Sequence, residues 1–168
     1  MVGLVFSDTV LRPASWDEND GDKVVSGILQ IPFTESISSL LHDESELNAV
    51  LASSLRQARE ANPFEGQKIY VGLPDAFVEH SIVPVEKDLS NNDHLNYIQW
   101  LESQKGRSEK HSVYLFGQVY FPSEHSIHVC SISRALVRTL KLSISELGGS
   151  PHWLGPVSSL YLDGSGMS

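Results

Sequence analysis

The chain has 168 residues, of which 40% are hydrophobic and 20% are charged. These values are ordinary for a globular protein and argue against wholesale disorder. The formal net charge is −9, from 21 acidic and 12 basic residues. This balance disfavours nucleic acid or an anionic membrane as the main partner, because both require clustered lysine and arginine. The single cysteine, Cys130, excludes an intrachain disulfide and a cysteine-rich metal site.

The start of the chain and its hydropathy indicate where the protein resides. The first eight residues, MVGLVFSD, lack the basic region and the long apolar region of a signal peptide. No apolar run approaches the length that is needed to span a bilayer. We therefore expect a cytoplasmic protein or domain with no direct membrane insertion.

The first three apolar runs predict a meander of strands. Residues 2–6 form a short apolar run that suits a central strand, and residues 9–14 can pair with it across a two-residue turn. Residues 24–31 alternate imperfectly and end at Pro32, which predicts a third strand.

A helix and a return strand follow the meander. Asp43, with Glu46 three residues later, has the form of a capping box and predicts the start of the helix. Asn62 and the proline after it predict its end. Residues 68–73 are rich in β-branched and aromatic residues and predict a buried strand. The order strand, helix, strand favours a parallel pair with a right-handed crossover.

The next part of the chain predicts a small α+β unit. Residues 76–83 form an apolar run after a tight turn, and a helix is expected from Ser90 or Asn92 to about residue 104. Residues 113–132 are dense in β-forming residues on both sides of a short turn, which predicts a hairpin.

A second amphipathic helix and a last strand are predicted near the end of the chain. Ser131 or Ser133 is expected to cap this helix, and Gly148 takes the position where a left-handed residue usually stops one. Residues 151–157 then fit one more short strand.

Three stretches carry a resemblance to a known superfamily. They are IYVGLPDAFVEHSIVPV at residues 69–85, DHLNYIQWLESQ at residues 93–104 and CSISRALVRTLKLSISELGGSPHWLGPVSSLYL at residues 130–162. Taken together with the order of the predicted strands and helices, these stretches resemble the actin-like ATPase superfamily. The resemblance is to the pilus-assembly PilM family and the cytoplasmic domain of the type II secretion GspL family, with subdomains IA and IC of the FtsA type.

The resemblance implies an α/β fold in two parts. An actin-like (ribonuclease H-like) first subdomain, IA, is expected over residues 1–74, with residues 157–168 rejoining it. An inserted α+β subdomain of strand-helix-strand-strand order, similar to IC, is expected over residues 75–156.

The opening turn departs from the pattern of the ATP-binding members. In them the first strand leads into an Asp-x-Gly turn, whereas Val5 and Ser7 stand at those positions here. A glycine-poor loop lets fewer amides converge on an anion, and without the acid a magnesium-bound water loses its anchor. DGSG at residues 163–166 is faintly similar to a second phosphate loop, but a flexible tail is the favoured interpretation. We therefore expect a truncated or degenerate member, a pseudo-ATPase with no cofactor.

The resemblance implies a function in assembly. We expect a non-enzymatic cytoplasmic adaptor or scaffold in a type IV pilus or type II secretion-like assembly, which binds a peptide or domain of a partner protein. The expected partner is an inner-membrane assembly protein or a secretion ATPase, and self-association as a homodimer stays open. One alternative is a lobe of an actin-like ATP-binding protein whose second lobe lies outside this chain. Another is a stand-alone α/β domain with an unrelated binding role.

Three tryptophans are the candidate partner-binding residues. Trp100 lies off the inward stripe of its predicted helix, and Trp16 and Trp153 flank predicted loops. Solvent-facing aromatic side chains mark interfaces more often than most residue types do. The alternative for Trp100 is that it covers the neighbouring hairpin, and both interpretations stay open.

No residue is assigned to catalysis or to metal binding. The common phosphate-loop, zinc-protease and serine-hydrolase motifs are absent from the sequence. His125, His128 and Cys130 are the closest potential metal cluster, but on a strand His125 points away from the other two. Two ligands do not close a tetrahedral site, so we expect a solvent-exposed histidine pair and a buried thiol that acts as a small hydrophobe. Residues 67–85, where the chain is expected to pass from the first sheet into the next unit, are expected to do no chemistry.

Overall fold

A computed structural model describes residues 1–16, 25–26, 28–86, 90–104, 111–120 and 125–158. In chain order its elements are β1 (Val2–Phe6), β2 (Val10–Trp16), β3 (Val25–Ser26), β4 (Ile31–Pro32), α1 (Ile37–Leu40), α2 (Glu44–Ala61), β5 (Lys68–Leu73), a 3-10 turn (Asp75–Phe77), β6 (Val78–Pro84), α3 (Asn91–Gln104), β7 (His111–Tyr120), β8 (His125–Ser133), α4 (Arg134–Glu146) and β9 (Ser150–Pro156). None of the helices in these ranges is long and apolar enough to cross a membrane.

The larger sheet has the strand order β3-β2-β1-β5-β9, with β4 also paired to β2. β1 is antiparallel to β2, which confirms that predicted pairing, and it is parallel to β5. The predicted parallel pair joined residues 68–73 to the strand just before the helix, whereas β5 pairs with β1 and β9. The predicted third strand over residues 24–31 is instead two short strands, β3 and β4, with residues 24 and 27 outside the described ranges. Between them Ile28 and Leu29 are exposed.

α2 covers one face of this sheet and begins and ends where the sequence predicts. The Asp43 carboxylate accepts hydrogen bonds from the amides of Ser45 and Glu46, so it satisfies two of the N–H groups that have no partner within the helix. The inward face of the helix is fully buried and consists of Leu47, Leu51, Leu55 and Ala58. These side chains pack against the alternate residues of β1 and β5 that point to the same side.

The smaller sheet has the order β6-β8-β7, and all its pairs are antiparallel. The predicted hairpin is therefore confirmed, although its turn at residues 121–124 lies outside the described residues. α3 packs on one face through Ile98, which joins a core cluster with Val83, Ile127 and Val129. Ser90 accepts a hydrogen bond from the Asp93 amide at 3.2 Å, as expected of the residue that caps α3.

The opposite face of the smaller sheet joins the core of the larger one. Val78, Cys130 and Ile132 belong to the same buried cluster as the side chains of β1, α2 and β5. The two sheets therefore share one hydrophobic core, and the face of the smaller sheet that lacks α3 turns toward the larger unit.

α4 leads the chain back to the larger sheet. Ser133 caps its first turn, and Gly148, with a φ of 85°, follows its last. The amide of Gly149 donates to the Ile144 carbonyl and that of Gly148 to the Ser145 carbonyl, both at 3.0 Å, which is the Schellman arrangement. The predicted helix stop is therefore confirmed.

The return to the larger sheet comes earlier than residue 157. α4 packs against α2, and β9 pairs in parallel with β5. Both elements fall within residues 75–156, which were predicted to belong to the inserted subdomain. The apolar face of α4 packs against α2. The unit that is inserted into the larger one therefore consists of the smaller sheet and α3. The assignment of the two units as subdomains IA and IC stays a prediction, and residues 159–168 lie outside the described ranges.

Candidate functional site

Two large exposed aromatic side chains lie on the outer face of α3. Trp100 is 55% exposed and Tyr97 is 41% exposed. Their rings stack with centroids 6.1 Å apart and an angle of 22° between their planes. We call these two residues the α3 aromatic pair. Large exposed aromatic rings of this kind are typical of the centre of a protein interface.

The inward stripe of α3 explains why this pair faces outward. His94, Ile98 and Leu101 follow each other at helical spacing, and the first two are buried. A ring nitrogen of His94 lies 3.0 Å from the Glu86 carbonyl oxygen, which anchors the start of the helix over the sheet. Leu95 and Leu101 are half-buried. Position 100 therefore lies away from the stripe, as the sequence predicted.

The other two tryptophans lie on the larger sheet, on either side of Tyr70. The ring of Trp16 is 5.5 Å from that of Tyr70, and Trp153 is opposite Tyr70 in the register of β5 and β9. Both tryptophans are half-buried. A Cβ atom on Gly3 would come within 2.9 Å of the Trp16 ring, so this packing requires a glycine there. The structure thus brings Trp16 and Trp153 to one face of one sheet and leaves Trp100 on another element.

The β1–β2 turn is closed by hydrogen bonds of its own residues. The Ser7 amide donates to the Val10 carbonyl at 2.8 Å, and the Val10 amide donates to the Ser7 hydroxyl at 3.0 Å. The Asp8 carboxylate accepts from the Ser38 amide at 2.8 Å and from its hydroxyl at 3.1 Å. Two amides of the turn therefore donate hydrogen bonds within the turn, and its carboxylate accepts hydrogen bonds from Ser38 of α1.

A cavity of about 420 Å³ lies where the start of α4 meets the start of α2. Arg138 forms an ion pair with Glu44 across it. Two arginines, one histidine and one carboxylate line it. Its lining residues are Leu41, His42, Glu44, Ser133, Arg134, Ala135 and Arg138. Sequence reasoning did not find this site, because its residues come from two helices that meet only in the fold.

A histidine–cysteine cluster lies on the face of the smaller sheet opposite α3. The sequence paired His128 with Cys130, and their side-chain atoms Nε2 and Sγ are 3.9 Å apart. The third member is His80 of β6, whose Nδ1 lies 3.0 Å from His128 Nε2 and 3.4 Å from Cys130 Sγ. The side chain of His125 is outside the described residues.

Burial is the main cause of the pKa shifts of His128 and Cys130. Burial, and after it the neighbouring His80, lowers the pKa of His128 below its usual value and so favours the neutral ring. Burial, and after it the charge of Asp75, raises the pKa of Cys130 to about 11. In the absence of a bound cation the Cys130 thiol therefore keeps its proton near neutral pH.

Comparisons with known proteins bear on the fold. No family model matches the chain, and no curated protein matches it. A solved PilM–PilN type IV pilus biogenesis complex aligns over 92% of this chain and 46% of its own chain, with a TM-score of 0.69 and 13% identity. The cytoplasmic domain of EpsL, an inner membrane component of the type II secretion system of Vibrio cholerae, aligns over 92% of this chain and 56% of its own, with a TM-score of 0.56 and 10% identity.

These likenesses concern architecture, since identities of 13% and 10% lie in the range where only the fold is shared. The chain spans about half the length of the solved chains that it matches. Both alignments run through the larger sheet and the smaller one, since each covers 92% of the chain. The chain therefore has a PilM- and GspL-like, actin-like α/β fold.

Proposed function

We propose that this chain is a non-enzymatic cytoplasmic adaptor in a type IV pilus or type II secretion-like assembly. The observation that carries the proposal is the alignment of nearly the whole chain with PilM in its complex with PilN and with the cytoplasmic domain of EpsL. Both matched proteins are assembly components by name. The partner of this chain would then be an inner-membrane assembly protein of the PilN kind, or a secretion ATPase.

The β1–β2 turn supports the non-enzymatic part of the proposal. An anion cradle needs several backbone amides that point at one place. Here the amides of Ser7 and Val10 bond within the turn, and the carboxylate of Asp8 is bound to Ser38. A triphosphate would have to break these bonds and would meet the negative charge of Asp8.

The α3 aromatic pair supports the partner-binding part. Trp100 and Tyr97 together expose a large apolar surface on a helix that is anchored below by buried Ile98. A rigid aromatic side chain loses little conformational entropy when a partner covers it. We therefore place the partner on the outer face of α3.

Isothermal titration calorimetry of the chain with a purified PilN-like protein tests the proposal. We expect 1:1 binding with a dissociation constant in the micromolar range or tighter. Trp100→Ala is expected to weaken binding by about thirtyfold, which corresponds to the ~2 kcal/mol of an interface hot spot. Trp16→Phe and Trp153→Phe test whether the larger sheet contributes to the same interface.

Gln99→Ala is the matched control, because Gln99 is an exposed neighbour of Trp100 on the same helix. We expect this variant to bind like the wild type. Absence of binding at several hundred micromolar would refute the proposed partner class. Binding that is equally tight in Trp100→Ala and in the wild type would refute the proposed surface.

A further inference from the structure

The histidine–cysteine cluster brings three potential metal ligands to one point. His80 of β6 is directly opposite Cys130 of β8, and His128 precedes Cys130 by two residues on the same strand. Residues opposite each other, and residues two apart, share a face of a sheet. The ligand atoms of the three side chains all lie within 4.8 Å of one another.

The separations of these atoms match those around a tetrahedral zinc ion. Zinc lies about 2.0–2.1 Å from a histidine nitrogen and about 2.3 Å from a cysteine sulfur, which separates two nitrogens by about 3.4 Å and a nitrogen from a sulfur by about 3.6 Å. The two nitrogens of the cluster are 3.0 Å apart, and the sulfur lies 3.4 and 3.9 Å from them. Small side-chain movements are enough to reach the ideal values.

A carboxylate lies next to His80, on the side of its ring that faces away from the other two ligands. Asp75 Oδ1 is 3.6 Å from Nε2 of His80, while Nδ1 of the same ring faces His128 and Cys130. The Ser158 hydroxyl donates to Asp75 Oδ1 at 2.7 Å and holds the carboxylate in place. Histidines that bind a metal commonly direct their other ring nitrogen at a carboxylate, which fixes the tautomer and the orientation of the ring.

Charge and access also fit a divalent cation. A thiolate at Cys130 and the carboxylate of Asp75 together balance two positive charges, so the occupied site would be neutral. Cys130 is fully buried, His128 is half-buried and His80 is exposed, so the cluster is open from the side of His80. The mixed nitrogen and sulfur donors favour zinc over magnesium or calcium, which prefer oxygen.

We propose that His80, His128 and Cys130 bind a zinc ion at the junction of the two sheets, with Asp75 orienting His80. The ion would connect β6 to β8, and through Asp75 and Ser158 it would connect both to the end of β9. Three protein ligands leave the fourth position of the tetrahedron to water. The site is separate from the α3 aromatic pair, which lies over the opposite face of the smaller sheet.

Cobalt(II) is the direct probe of this site. The full chain is stripped of metal with a chelator and titrated with Co²⁺, and then Zn²⁺ is added. We expect the visible absorption of tetrahedral cobalt together with a near-ultraviolet thiolate-to-cobalt band, and we expect Zn²⁺ to abolish both. Since Cys130 is the only cysteine, a thiolate band identifies it as a ligand without any substitution. Absence of that band in the wild-type chain would overturn the proposal.

Variants of exposed or partly exposed residues test the other ligands, so that loss of folding does not confuse the result. His80→Gln and His128→Gln are each expected to weaken zinc binding by about 100-fold or more, and Asp75→Asn by about 10–100-fold. His42→Gln, which changes an exposed histidine elsewhere, is the control and is expected to bind zinc like the wild type. Equal affinity in the wild type and in His80→Gln, measured by competition with a chromophoric chelator, would also overturn the proposal.

Discussion

Asp43 fixes the start of α2 through two hydrogen bonds of 3.0 Å to the amides of Ser45 and Glu46. Asp43→Ala leaves these amides without a protein acceptor and is expected to lower the free energy of unfolding by about 1 kcal/mol. Urea denaturation followed by circular dichroism measures the change. Asp43→Ser keeps a capping oxygen and should retain most of the stability. An Asp43→Ala variant as stable as the wild type would show that the cap contributes nothing.

Gly148 ends α4 with a φ of 85°, a conformation that a Cβ atom disfavours. Gly148→Ala is expected to cost about 1 kcal/mol of stability, because an alanine in the left-handed region meets its own carbonyl. Gly66 has a φ of 71° and open space where a Cβ would stand, so Gly66→Ala measures the backbone effect alone. The melting temperatures of the two variants compare the cost of a Cβ atom at position 148 with its cost at position 66. A Gly148→Ala chain that melts at the wild-type temperature would contradict the assigned helix stop.

The histidine–cysteine cluster shows what residue spacing can and cannot reveal. His128 and Cys130 are neighbours on a strand, so period-2 alternation was enough to place them on one face. His80 is 48 positions before His128, and only the pairing of β6 with β8 brings them together. No local pattern encodes that pairing, and residues 67–85 therefore carried no sign of chemistry. The outward position of Trp100 was accessible to prediction, because helical spacing determines which face of the helix it takes, whereas its stacking with Tyr97 was not predicted.

At the scale of elements, the amphipathic pattern of α4 fixes its inner and outer faces. Leu140 is fully buried and Leu142, two residues later, is 56% exposed. Leu140→Ala is expected to lower the free energy of unfolding by about 2–5 kcal/mol, through lost burial and the cavity that remains. Leu142→Ala is the matched control on the same helix and should change it by less than about 0.5 kcal/mol. Equal losses in the two variants, measured by urea denaturation, would contradict the packing of α4 against α2.

The pattern that predicted α4 did not reveal what the helix packs against. Apolar residues at helical spacing require some apolar surface, and both the hairpin and α2 offer one. The pattern alone therefore does not determine which of the two units α4 belongs to. The short strands β3 and β4 were missed for a related reason, since an apolar run indicates burial only where neighbouring strands are present to cover it.

At the scale of the whole molecule, the proposed absence of nucleotide chemistry has a direct test. We expect millimolar Mg-ATP to leave the melting temperature of the chain unchanged. A ligand at a hundredfold excess over its dissociation constant would add about 2.7 kcal/mol, and this would raise the melting temperature of a domain of this size by several degrees. Magnesium chloride without nucleotide is the control. A saturable rise with Mg-ATP alone would favour the alternative of an ATP-binding lobe.

The parallel pairing of β5 with β9 sets an order for folding. Lys68 pairs with Ser150, roughly eighty residues later in the chain. Contacts over such long loops form slowly, because the entropy of loop closure is lost before the contacts stabilise the chain. During synthesis the first five strands and α2 leave the ribosome well before β9. Until β9 pairs with it, β5 is an edge strand of the larger sheet. The hairpin of the inserted unit has short-range contacts and can form first, which shortens the remaining loop and brings the last strand to its place.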